Sequence, residues 1–220
     1  MNPNFVQQLQ NQLSLPLPGA EAQQYMAPTH RLSSEHYLKT IKRYRHGSVL
    51  ILLFEKDNSP HFVLTRRQDY EGIHSGQISF PGGKADLSDI DHIQTALRET
   101  EEEIGISRHQ IEVIGELTQL YIPPSNFLVK PVVGFLPRAP QFKKDEKEVA
   151  EIIVVATSDL LSEDIRQHKI MDLSRGLKAP DLTAVKVPFF NINGHHVWGA
   201  TAMILSEFVE VSRPLFSQNI

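Results

Sequence analysis

Glu99, Glu102 and Glu103 stand at i, i+3 and i+4, a spacing that gathers three carboxylates on one face of a helix. Ile93, Ala96, Leu97, Thr100 and Ile104 fall on the other face, so the helix packs by one side and presents concentrated negative charge on the other. Like charges at this spacing repel, and their place toward the C-terminal end of the helix dipole adds to the cost. A divalent cation reverses the sign. Carboxylate oxygens on a rigid helix suit Mg²⁺ or Mn²⁺, and Mg²⁺ usually completes its octahedron with waters and substrate phosphate. A glutamate run by itself is more often a solvated helix face. The residues ahead of it favour the metal: Pro81, Gly82 and Gly83 read as a breaker loop whose missing side chains let backbone groups approach a cation or a phosphate. Gly105 suits the left-handed residue that ends the helix.

Residues 80–106 read FPGGKADLSDIDHIQTALRETEEEIGI. They resemble the Nudix box, in which a glycine, a spacer bearing an acid, and Arg-Glu-x-x-Glu-Glu-x-Gly follow one another as loop, helix and loop. Gly83, Arg98, Glu99, Glu102, Glu103 and Gly105 match. Asp89 stands where the general pattern has Glu, one residue further from the arginine, and Thr100 replaces an aliphatic residue. The resemblance implies metal ligation by Glu99 and Glu103, with Glu102 as a further ligand or water-activating base. It also implies a backbone carbonyl from the Gly83 region, and an Arg98 that orients the glutamates by a charge-assisted hydrogen bond. No role is carried onto Asp89.

Residues 64–83, LTRRQDYEGIHSGQISFPGG, resemble the extended signature of the coenzyme A pyrophosphatase branch of the Nudix hydrolases through Leu64, Thr65, Arg67, His74, Gly76, Gln77, Phe80, Pro81, Gly82 and Gly83. Glu71 and Gly72 replace a Leu-Arg pair, so any substrate contact of that arginine is absent or supplied by Arg66. Arg67 is a candidate to grip a phosphate with its planar fork. His74 and Gln77 are candidates to hydrogen-bond phosphate or to shape the loop, and for His74 a structural role stays equally open. In the charged connection of residues 143–148, Glu148 is the candidate for the loop acid that in the wider family completes the metal site or acts as base; otherwise it is a solvated charge.

The resemblance implies a metal-dependent pyrophosphohydrolase, with Mg²⁺ or Mn²⁺ as cofactor. It would split coenzyme A or its derivatives into 3′-phosphorylated AMP and 4′-phosphopantetheine. Another nucleoside-diphosphate compound, such as ADP-ribose or a dinucleotide, is the alternative substrate. A non-catalytic metabolite-sensing domain is a reading of another class, favoured by loss of a carboxylate, and none is lost.

The elements that must position these residues follow from hydrophobic patterning. Residues 47–54 and 62–65 read as two buried strands joined by a turn at Asp57, Asn58, Ser59 and Pro60; further strands are expected at 77–80, 111–120, 129–136, 151–156 and 185–191, with a hairpin turn at Asn193-Gly194. Helices are expected at 5–15, 89–104, around 160–165 and around 202–209. This order argues for an α/β protein, and with the family resemblance for a Nudix-like α/β/α sandwich on a mixed sheet. The expected division is an N-terminal docking segment over 1–45, a hydrolase domain over 46–212 and a tail over 213–220. The basic cluster Lys39, Lys42, Arg43 and Arg45 reads as a solvated face, and Trp198 as core.

The 22 Lys and Arg against 26 Asp and Glu leave a formal charge of −4, which argues against a sequence-blind nucleic-acid binder or a binder of anionic membranes. There are no cysteines, which removes thiolate catalysis, disulfides and cysteine metal sites. No apolar run approaches a bilayer span, and no targeting segment is recognisable, so the expected setting is the cytoplasm and the expected partner a small nucleoside-diphosphate compound. Oligomeric state is not legible, with a homodimer left open.

Overall fold

Residues 49–54 are apolar without interruption because the strand they form is covered on both faces. In β1 (Arg45–Lys56), Leu50, Leu52 and Phe54 enter one core while Ile51 and Leu53 enter another. The alternation continues in the neighbouring strands. Val63 in β2 (Ser59–Arg67) joins the first core and Phe62 and Leu64 the second; in β7 (Phe127–Leu136), Val132 and Leu136 oppose Val133 and Phe135. The first core is roofed by α4 (His92–Ile104) through Ala96 and Ile104. The second is roofed by α5 (Gly199–Phe216) and α1 (Pro3–Ser14) through Leu205, Phe208, Leu9 and Leu13. Three layers, α/β/α, result. Each large buried side chain contributes roughly 2 kcal/mol of transfer free energy.

The computed structural model describes residues 3–29, 31–69, 76–171 and 185–216. The main sheet runs β3–β2–β1–β7–β5, with β3 at Ile78–Ser79 and β5 at Glu112–Glu116; β4 (Gly82–Lys84) pairs with β1, β6 (Leu120–Ile122) with β7, and β8 (Val149–Ala156) with β2. The β1–β7 ladder is parallel and the others are antiparallel, so the sheet is mixed. A second sheet orders β11 (His195–Trp198), β10 (Val185–Ile192) and β9 (Arg166–Met171). Asn193 and Gly194 turn the β10–β11 hairpin with φ of 51° and 83°.

Several expectations need correction. The stretch 111–120 is broken: β5 slips register between Val113 and Gly115 but stays paired with β7 to Glu116, and a separate strand, β6, takes up the pairing at Leu120. Around 160–165 there are two short 3-10 turns, Thr157–Leu161 and Glu163–Ile165, in place of a helix. The Pro81–Gly83 stretch is not all loop: Leu50 N donates to Pro81 O (2.8 Å), and Gly82 and Gly83 then pair with Val49 and Ser48 as β4. The strand β9 was not anticipated, and Trp198 is half-buried.

Beyond α1 the chain forms two further helices, α2 (Gly19–Gln24) and α3 (Ser34–Thr40), the latter with Ser33 as its N-cap. Leu9, Leu13 and Met26 pack in the α5-side core. A fully buried acid in α5 secures this packing: Glu207 accepts from Gln23 Nε2 (2.9 Å) and from the Thr118 N–H (3.1 Å). Among the described residues no helix is long and apolar enough to cross a membrane.

Candidate active site

The acidic helix is α4, and its ends are built from local chemistry. Asp91 caps the N-terminus by accepting from Gln94 N (2.8 Å), so the helix begins at His92 and leaves Asp89, expected inside it, in the preceding turn. At the C-terminus Gly105 takes a φ of 72° and donates its N–H to Glu101 O (3.0 Å). The following loop returns to the same helix end, where Lys143 N donates to Ile104 O (3.0 Å) and Asp145 N to Glu103 O (2.9 Å). Those carbonyls would otherwise lack partners. The loop that carries Glu148 is thereby fastened to the helix that carries the glutamates.

Strand alternation sends Val63, Thr65 and Arg67 of β2 toward the α4 face, where Arg67 Nη1 lies 3.9 Å from Glu103 Oε1. Glu103 is only 3% exposed. Its Oε2 and the Nε of Arg67 are buried without a hydrogen-bond partner among the described residues. Burial pushes the Glu103 carboxyl up to about 8; Arg67 opposes the shift, and the nearby charges of Glu99 and Glu148 add to it. Burial likewise raises Glu99, against the pull of Arg98 and with the help of Glu102 and Glu148. Glu148, from the loop before β8, thus lies close enough to repel both helix carboxylates. Gly83 leaves room for one of them: a Cβ at this position would stand 2.4 Å from Glu99 Oε2. Glu102 turns outward, with its side chain 58% exposed.

Arg98 uses every guanidinium N–H. Nε and Nη2 donate to the two oxygens of Asp89 (2.9 Å each), Nη1 to Glu99 Oε1 (2.9 Å) and Glu102 Oε2 (3.0 Å), and Nη2 also to Lys84 O (3.0 Å). Asp89 further accepts from Asp86 N and Thr95 Oγ1 (2.9 Å each). Its carboxyl is held well below the usual range, chiefly by Arg98, and Arg98 is held still more firmly protonated, chiefly by Asp89. Asp89 is the residue that sequence reasoning left without a role. Its separation from Arg98 is not a helical spacing; only the turn before α4 brings the two together. Asp89→Ala is expected to lower the unfolding free energy by about 3 kcal/mol, since it removes two charge-assisted hydrogen bonds from a mostly buried guanidinium that keeps its bonds to Glu99, Glu102 and Lys84 O. Urea denaturation measures this, and a loss under about 1 kcal/mol would mean that water replaces the carboxylate.

Gln77 accepts the Arg67 N–H on its main-chain carbonyl (3.0 Å), beside β3. His74 lies outside the described residues. Arg66 points to the opposite face of the sheet from Arg67, where Glu151 holds its Nε at 3.4 Å and His195 approaches the same carboxylate at 3.5 Å.

These residues fit a divalent cation in an open site. A buried carboxylate oxygen without a partner, two carboxyls pushed up by burial and mutual repulsion, and a side-chain-free Gly83 against Glu99 are all features that a cation would relieve. Among the described residues no group of three or more acidic or histidine side chains is gathered closely enough to hold a metal ion by itself.

The NUDIX domain family matches residues 44–173. An uncharacterized Nudix hydrolase NudL of Photorhabdus laumondii is 36% identical over 166 residues, spanning 76% of this chain and 84% of its own. A NudL of Yersinia pestis is 33% identical over 184 residues, spanning 83% and 86%. Among solved structures, a MutT protein from Methanosarcina mazei superposes with a TM-score of 0.48 at 16% identity, over 80% of this chain and 99% of its own.

Proposed function

The chain belongs to the Nudix hydrolases, which act on pyrophosphate bonds and generally use divalent metal ions, and from that premise we propose that it splits the diphosphate of coenzyme A or its derivatives. The products would be 3′-phosphorylated AMP and 4′-phosphopantetheine. The observation that carries the reading is the placement of Arg67 beside Glu103 and within the 64–83 signature. A cation with an unused N–H and a set of carboxylates at one place matches a metal-bound diphosphate on both sides of its charge.

Glu99 and Glu103 would hold the metal, joined by Glu102 and the Gly83 backbone. A divalent ion held there supplies charge neutralisation of the diphosphate and a lowered pKa for bound water. The chain's own groups do the rest. Arg98, itself fixed by Asp89, holds the Glu99 carboxylate in place. Arg67 binds a non-bridging phosphate oxygen and orients the phosphorus for in-line attack. Glu148 accepts the proton of the attacking water. The buried setting of Glu103 keeps bulk water from screening these charges.

A second reading, hydrolysis of ADP-ribose or a dinucleotide, draws on the missing Leu-Arg pair and on Arg66. That arginine is already engaged by Glu151 and Asp69 and is no free partner for a 3′-phosphate. Assaying coenzyme A, ADP-ribose and a diadenosine polyphosphate with Mg²⁺ and with Mn²⁺ separates the two. We expect both coenzyme A products; their absence beside brisk ADP-ribose hydrolysis would refute the coenzyme A assignment and leave the hydrolase one.

A further inference from the structure

Glu148 sits in a loop, and loops place side chains loosely unless something fastens them. This one is fastened at several points. Its start is tied to the end of α4 through Lys143 N and Asp145 N. Within it Asp145 organises a turn, accepting from Lys147 N on Oδ1 (2.7 Å) and from Glu148 N (3.3 Å) and Val149 N (2.9 Å) on its carbonyl. Lys144 Nζ reaches forward to Ala150 O (2.7 Å).

The remaining tie comes from outside the loop. Gln68, the residue after β2, donates its main-chain N–H to Glu148 O (2.9 Å) and its side-chain Nε2 to Glu146 O (2.8 Å). These two bonds hold the carbonyls of the two residues that flank Lys147. Gln68 also directly follows Arg67, so the residue that would grip the phosphate and the residue that grips the base-bearing loop are consecutive in the chain. A register shift lies just before them: Arg66 faces Glu151 but Arg67 faces Val149, which puts Ala150 in a bulge and brings the Glu148 end of β8 alongside Gln68.

We propose that Gln68 is a positioning residue, whose carboxamide sets Glu148 relative to Glu103 and Arg67. The proposal rests on the reading of Glu148 as the group that accepts the water proton. Loss of one neutral hydrogen bond is expected to lower kcat about fivefold. KM stays unchanged because Gln68 itself meets neither substrate nor metal. Gln68→Met keeps length and removes the donor, whereas Gln68→Lys restores one.

The test has two independent readouts on the full chain. Hydrogen exchange at the Glu148 and Val149 amides should quicken about fivefold in Gln68→Met and return toward the parent in Gln68→Lys. Unchanged exchange overturns the positioning whatever Glu148 does. The second readout is turnover of whichever of coenzyme A, ADP-ribose or diadenosine polyphosphate the parent cleaves fastest, in a cycle of Gln68→Met, Glu148→Gln and the double variant. If Gln68 acts through Glu148, the double variant is no slower than Glu148→Gln alone. A double variant fivefold slower still overturns the proposal, as does a fall in kcat that Gln68→Lys leaves uncorrected. Should Glu148→Gln turn over like the parent while exchange quickens, the reading of Glu148 falls and takes the catalytic part of the proposal with it, leaving only the mechanical tie.

Discussion

Glu99→Gln and Glu103→Gln each lower kcat by about 10²–10³-fold, at saturating Mg²⁺ or Mn²⁺, without unfolding the protein. On the proposed function the size follows from what these carboxylates would do: they would hold the cation that neutralises the diphosphate in the transition state, and removal of one such pre-placed group is worth this much. Glutamine keeps shape and volume, so the packing of α4 on the sheet, carried by Ala96 and Ile104, is untouched. Glu103→Gln should even favour the metal-free fold near neutral pH, because a neutral amide replaces an acid that burial and its neighbours resist ionising. Glu102→Gln is expected to act less, since Glu102 faces solvent and Arg98 retains its bonds to Asp89 and Glu99. Steady-state kinetics beside thermal unfolding of the same samples checks this. Parent-like turnover in both the Glu99 and Glu103 variants, or loss of activity that tracks loss of fold, would contradict it.

Stability of the metal-free protein falls as pH rises from about 5 to about 8, and divalent cation abolishes the fall. The Glu103 carboxyl is raised from 4.5 to about 8 in the folded state, so between those values the native state holds a proton that the unfolded chain has released. A raised group stabilises fully below its unfolded pKa, and that contribution is lost as pH climbs through the folded one. At about 1.4 kcal/mol per unit the loss is at most ~5 kcal/mol. Glu99, raised in the same direction, adds to the slope. Asp89, lowered by Arg98, contributes in the acid range instead, and its part is lost only as pH falls. A bound cation takes the proton's place, so cation binding near pH 7 should release protons, seen as a buffer-dependent binding heat. Glu103→Gln should flatten the slope of Tm against pH; a slope equal to the parent's would show that another group is responsible.

Most of what can be read from the residues alone is local. The i, i+3, i+4 glutamates, the Gly105 terminus and the apolar run of β1 are settled by helix period, backbone sterics and two-sided burial, all visible within a dozen residues. The α/β/α layering followed from the order of such segments together with the family resemblance, and the mixed sheet is there in the parallel β1–β7 ladder. The sequence could not show that Gly82–Lys84 is a strand, because its pairing partner lies more than thirty residues away in β1 and glycine carries no strand propensity. Nor could it give Asp89 a purpose. An acid outside the helix meets Arg98 only when a turn folds it back, and that turn is held by Asp86 and Thr95. The division of labour between Arg66 and Arg67 is likewise tertiary. Adjacent residues in a strand point to opposite faces; the placement of α4 on one face puts Arg67 at Glu103, while the long-range β2–β8 pairing sets Arg66 opposite Glu151 on the other. Charge type and spacing are written in the chain, whereas which charges meet depends on long-range packing that no local pattern encodes.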